Sequence, residues 1–192
     1  MNTSDILVVG DSYSAAREGD TGLDLGWPDV MGIDHAKRQA VSGSTAAQWA
    51  ADFGGRLTQA LNTPSDVLIL SLLGNDAFAA LAAGFNLLTA EQVEKAYVSL
   101  HAVVAQLCEG RQRSIVLLYP DPFNGRNSQY DVGLPLLNGA IRSACAVQAH
   151  AIEFVDLGEW LTPGDFNGTD MHPTRAGHQI IAQNLTAYLS KS

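Results

Sequence analysis

Four short polar blocks stand out along the chain: Gly10-Asp11-Ser12, Val41-Ser42-Gly43-Ser44-Thr45, Gly74-Asn75-Asp76 and Asp170-Met171-His172. Together they carry a hydroxyl, an imidazole, carboxylates and amide donors. Acyl transfer needs those parts: a nucleophile, a base, a group to orient the base, and donors aimed at the developing oxyanion. Ser12 supplies the hydroxyl. His172 is the candidate base, since histidine ordinarily titrates at about 6.5, which suits proton shuttling near neutrality. Asp170 stands two residues earlier, and an extended step places residues i and i+2 on the same side of the chain. Asn75 offers a side-chain amide, and Gly43 a backbone amide that a substrate can approach closely. Each block alone is also ordinary turn chemistry. Their meaning depends on whether the fold gathers them.

The elements that would gather them are legible from hydrophobic patterning. Short runs rich in Val, Ile and Leu predict strands at Ile6–Val9, Ala36–Val41, Val67–Leu73, Ser114–Tyr119 and Ile152–Val155. Between and after them lie stretches with helical spacing: "STAAQWAADFGGRLTQAL", "TAEQVEKAYVSLHAVVAQLCEG" with Thr89 as its N-cap, "LPLLNGAIRSACAVQAHA" and "PTRAGHQIIAQNLTAYL", with Pro173 at the first position of the last. Alternating strands and helices call for a mainly parallel sheet covered on both faces. The predicted architecture is an α/β, three-layer α/β/α sandwich, flavodoxin-like, with about five parallel strands in one domain over residues 1–192. Open parallel sheets bind ligands at the carboxyl ends of their strands. Three of the four blocks directly follow predicted strands, and the fourth trails the last strand by about a dozen residues. The most loop-like stretch, Pro120–Asp131, should share that rim.

In this order and placement the blocks resemble the SGNH (GDSL) hydrolase family, an esterase and lipase superfamily. "GDS" matches the nucleophile block, the glycine of "VSGST" the second block, "GND" the third, and "DMHP" resembles the last, so the resemblance runs from residue 10 to residue 173. It implies an oxyanion hole formed by Gly43, Asn75 and the backbone amide of Ser12. It implies a metal-independent serine hydrolase that cleaves carboxylic esters of small molecules. The resemblance does not fix the acyl group; no long hydrophobic lid is evident and the chain is compact, so a short acyl group is the expectation. One departure stands out. The family's acid lies three residues before the histidine, where this chain has Thr169, so the nearest carboxylate is Asp170. Asp165 and a backbone carbonyl remain alternatives for orienting His172.

Asp11 and Asp76 read as braces for their loops rather than reacting groups. Tyr13, Trp27 and Phe123 are candidates either for lining a pocket or for packing, and Ala16–Val30 for one wall of the cleft. His178 lies six positions after His172, off its helical face, and His35, His101 and His150 have no ligand spacing. The sequence therefore predicts no metal site and no cofactor. An acidic residue in the loop after the first strand disfavours a flavodoxin-type phosphate cradle. A net charge of −9 argues against nucleic acid as a partner. No run approaches the roughly 18 apolar residues of a membrane span, and no signal-peptide core is evident, so a cytoplasmic location is the expectation. Cys108 and Cys145 sit in apolar helical patterns and read as buried free thiols. Oligomeric state is not encoded in any motif. The rival reading is a catalytically silent ligand-binding module on the same scaffold.

Overall fold

The apolar runs form strands because they can be buried on both faces at once, the environment of a parallel sheet between helical layers. The computed structural model describes residues 3–15, 26–76, 90–125, 128–146, 151–166 and 171–191. Within them lie β1 (Ile6–Gly10), β2 (Val67–Ser71), β3 (Arg113–Leu118) and β4 (Ile152–Asp156). They pair in the order β1-β2-β3-β4, and every pairing is parallel. Every residue of β1 and β2 is buried.

The expected strand at Ala36–Val41 is mostly something else. His35–Lys37 is a 3-10 turn whose start is capped by the Asp34 carboxylate, which accepts the Ala36 amide at 3.0 Å. Only the segment beyond it follows the sheet, through a parallel bridge from Val8 to Arg38 and bonds from Gln39 N to Val8 O (2.8 Å) and Val41 N to Gly10 O (2.9 Å). It fills a fifth position on the open edge of β1, in place of a regular strand.

The described helices are α1 (Trp27–Val30), α2 (Ala46–Ala50), α3 (Arg56–Leu61), α4 (Ala90–Cys108), α5 (Ser128–Ala146) and α6 (Arg175–Leu189). The single helix expected after Ser44 is broken in two because Asp52, Gly54 and Gly55 adopt positive φ (52°, 58° and 73°). Helix α5 starts earlier than its apolar spacing suggests, at Ser128, and carries Pro135 inside it. Pro173 precedes α6 rather than opening it, and Thr174 is the N-cap, accepting the Gly177 amide at 3.3 Å. The Thr89 cap expected for α4 lies outside the described residues.

From β2 onward every crossover steps the same way across the sheet, and right-handed connections put their helices on one face. Helices α2, α3, α4 and α5 pack along one another accordingly. The excursion through α1 steps off β1 in the opposite direction, and α1 packs with α6. The chain thus reverses its winding beside β1, and the tips of β1 and β2 flank that reversal. Cys108 and Cys145 are buried free thiols. No helix among the described residues is long and apolar enough to cross a membrane.

Candidate active site

Strand β1 ends on Gly10 because no side chain fits there: a Cβ would lie 2.7 Å from the Ser71 carbonyl oxygen of β2. The chain then turns at once. Asp11 N donates to Ser71 O (2.9 Å), while Ser14 N and Ala15 N donate back to Asp11 O (3.1 and 2.9 Å). The Asp11 carboxylate caps this helical turn by accepting the Tyr13 amide at 3.0 Å. Ser12 therefore sits in the first turn beyond the strand tip, with 8% of its surface exposed. Its Oγ lies 2.8 Å from His172 Nε2, across 160 residues of sequence.

His172 is held on a short return loop. Phe166 and Pro173 form an antiparallel bridge at its base. Thr174 donates from both its amide and its hydroxyl to Asp165 O (2.7 and 3.0 Å). On the other side, the Tyr13 hydroxyl donates to the Met171 carbonyl at 2.5 Å. Asp170, the candidate acid, lies outside the described residues. The alternative acid, Asp165, is turned elsewhere: its Oδ2 accepts the amide and hydroxyl of Thr162 at 2.7 and 2.8 Å.

The two candidate oxyanion elements are tied to each other. Asn75 Nδ2 donates to Ser44 O (3.0 Å), and Ala46 N donates to the Asp76 carboxylate (2.9 Å). An asparagine side chain has two amide hydrogens, so the bond to Ser44 leaves the second for another acceptor. Gly43 holds φ at +77°, a region that other residues reach only at a cost. Leu73, immediately before Gly74-Asn75-Asp76, holds φ at +100° without being glycine. Such outliers cost about 1–3 kcal/mol each and concentrate at functional sites. Among the described residues, the amides of Ser12 and Gly43 donate to no backbone acceptor.

Beneath this rim lies a buried polar layer. Asp11 is 1% exposed, its second carboxylate oxygen accepts the Tyr119 hydroxyl, and that hydroxyl in turn accepts the Gly74 amide at 3.1 Å. Burial pushes the Asp11 carboxyl up to about 7, against the opposing pull of the Tyr119 and Tyr13 hydrogen bonds. Burial also raises Asp76, whose accepted amide bonds lower it. Asp11 and Asp76 therefore brace their loops. His178, on α6, is buried and its Nδ1 has no hydrogen-bond partner among the described residues. Burial, with the neighbouring His172 adding to it, holds His178 down to about 4 and so neutral. Tyr13 and Trp27 are packed inside, the indole donating to Tyr13 O at 2.9 Å, whereas Phe123 is half-buried. His150 and the part of the Ala16–Val30 insert spanning residues 16–25 lie outside the described residues. Among the described residues, no three His, Cys, Asp or Glu side chains converge as metal ligands would.

Tyr119 is the residue that sequence reasoning missed. It read as the last residue of an apolar strand, and only its hydroxyl, at the end of a run of aliphatic side chains, hinted at a polar partner.

The chain has counterparts among known proteins. Residues 8–180 match the model of the GDSL-like lipase/acylhydrolase family. The chain belongs to that family. As a GDSL-like acylhydrolase it is an ester hydrolase in the general sense. No protein of curated function matches it. Several solved structures share its fold. LAE5, an α/β hydrolase enzyme from the metagenome of Lake Arreo, Spain, is 20% identical at a TM-score of 0.69, over 96% of this chain and 94% of that one. Axe2, an acetylxylan esterase from Geobacillus stearothermophilus, is 18% identical at 0.66, over 95% and 92%. The lipase Lip_vut3 from a goat rumen metagenome is 16% identical at 0.70, over 95% of each chain.

Proposed function

We propose that this GDSL-like hydrolase cleaves carboxylic esters through an acyl-enzyme on Ser12. The observation that carries the reading is the 2.8 Å approach of Ser12 Oγ to His172 Nε2 at the carboxyl rim of the sheet. A nucleophile and base at hydrogen-bonding distance are the signature of an activated hydroxyl. His172 Nε2 takes the hydroxyl proton as Oγ bonds to the ester carbonyl carbon. The resulting oxyanion accepts hydrogen bonds from the amides of Ser12 and Gly43 and from Asn75 Nδ2. As the carbon–oxygen bond to the alcohol breaks, His172 returns its proton to the departing oxygen. Water then repeats the sequence on the acyl-enzyme, with His172 again as base, and frees the carboxylic acid. Asp170 orients His172 and stabilises the imidazolium. No metal enters any of these steps.

The acyl group is short and the ester a small molecule. An acetylxylan esterase among the proteins of the same fold supports that choice. The rival reading, a silent binding module, draws on the acid standing two residues before His172 instead of three. One experiment separates the two: release of p-nitrophenol from the acetate, butyrate and octanoate esters, with wild type beside Ser12→Ala. Turnover highest on acetate and lower by roughly 10³-fold or more in the variant is the expected result. Equal rates for wild type and variant on every ester overturn the proposal.

A further inference from the structure

Three separate segments must meet for the proposed reaction: the turn carrying Ser12, the helical turn at residues 74–76 carrying Asn75, and the loop carrying His172. Two buried tyrosines join them. Tyr13 lies in the nucleophile turn itself and reaches across to the Met171 carbonyl at 2.5 Å, one residue before the base. Its ring lies 5.9 Å from the His172 imidazole, centroid to centroid. Tyr119 comes up from the end of β3. Its hydroxyl donates to the Asp11 carboxylate, one residue before Ser12, and accepts the Gly74 amide, one residue before Asn75, at 3.1 Å. The two rings meet edge to face, 5.0 Å apart at 83°, and each residue is only 2% exposed.

We propose that Tyr13 and Tyr119 are positioning residues, whose hydroxyls hold the His172 loop and the Asn75 turn in register with Ser12. The inference rests on Ser12 and His172 acting as nucleophile and base. The close packing around Gly74 supports a fixed register. A Cβ there would lie 2.8 Å from the Tyr119 ring and 2.9 Å from the Asp11 carboxylate. The Asn75 turn is thus seated directly against the bridge, with no room for slack. The Trp27 indole extends the frame, because its Nε1 donates to Tyr13 O at 2.9 Å. Neither hydroxyl touches the reacting atoms. Each fixes the residue next to one that does, and a misplacement of about 1 Å can cost about 10²-fold in rate.

The test separates positioning from simple loss of structure. A fluorophosphonate labels an activated serine irreversibly: Ser12 Oγ bonds to phosphorus, fluoride leaves, and the hydroxyl proton passes to His172. The end point counts competent molecules, and the rate constant reports alignment. Tyr119→Phe and Tyr13→Phe keep the ring packing and delete one hydroxyl each. Both are expected to label to one equivalent per folded chain, more slowly than wild type by about tenfold or more, with kcat on p-nitrophenyl acetate falling in parallel and KM unchanged. Wild-type rate constants, or a reduced end point reached at the wild-type rate, overturn the inference. Should Tyr119→Phe give too little folded protein, Gly74→Ala displaces the same bridge without deleting a polar group and is read the same way. Ser12→Ala distinguishes the two levels of argument. If it labels like wild type, the nucleophile assignment fails and this inference falls with it. If it does not label while both phenylalanine variants match wild type, only the tyrosine inference fails.

Discussion

Replacing Asp11 by asparagine should change how stability depends on pH more than it changes stability at any one pH. The carboxyl is buried beneath Ser12, and burial raises it from an ordinary 3.8 to about 7 in the folded chain. Between those values the folded protein binds a proton that the unfolded chain has released. Stability contributed by this group is therefore complete below about pH 4 and falls as pH rises towards 7. One pH unit of difference corresponds to about 1.4 kcal/mol, so the whole interval is worth up to about 4 kcal/mol. The groups facing Asp11 set how much of that survives. The Tyr119 hydroxyl and the Tyr13 amide favour the charged form, and the Asp76 carboxylate opposes it. Asparagine cannot ionise, so the Asp11→Asn variant lacks this slope. It also presents a donor where both carboxylate oxygens accept, a fixed cost of about 1–3 kcal/mol for the mismatched partner. The fixed cost shifts the comparison equally at all pH values and drops out of its slope. Urea unfolding followed by the fluorescence of buried Trp27 and Trp49 at pH 4 to 8 gives the measurement. The stability of the variant relative to wild type should rise by several kcal/mol from pH 4 to pH 8. A difference constant to within about 1 kcal/mol, at equal m-values, would refute the reasoning, because it would mean that Asp11 ionises with no burial cost.

Three further outcomes follow from the same structure. Asn75→Ala should lower kcat by about 10²–10³-fold with little change in KM, the loss typical of one oxyanion donor, and steady-state kinetics on p-nitrophenyl acetate reads it. Asp170→Asn should lower kcat by up to about 10⁴-fold if Asp170 orients His172, whereas near-normal turnover would leave a backbone carbonyl to orient it. His178 carries a folded-state value lowered to about 4 from 6.5, so its contribution to stability is lost as pH falls through that interval. In urea titrations, wild type should lose about 3 kcal/mol more than His178→Gln between pH 7 and pH 4, and parallel losses would show that His178 protonates without cost.

Much of this protein is determined by its sequence. The apolar runs at Ile6–Val9, Val67–Leu73, Ser114–Tyr119 and Ile152–Val155 read as parallel strands, and β1 to β4 lie there with ends shifted by one or two residues. The polar blocks behind those strands were equally readable, because a strand tip fixes the rim on which the next residues emerge. The loss of regular pairing at Ala36–Val41 was not foreseeable from β-propensity, since the Asp34 cap and the 3-10 turn at His35–Lys37 compete locally and leave one bridge. The break between α2 and α3 was likewise hidden, because positive φ at Asp52 depends on its surroundings. What only the tertiary structure decided is distance. No pattern states that Ser12 meets His172 at 2.8 Å, or that Tyr119 bridges Asp11 and Gly74 beneath them. Those contacts join residues 160, 108 and 45 positions apart. Local spacing dictates which side of an element a residue faces, but contacts across the sheet are set by how three loops settle against one packed core.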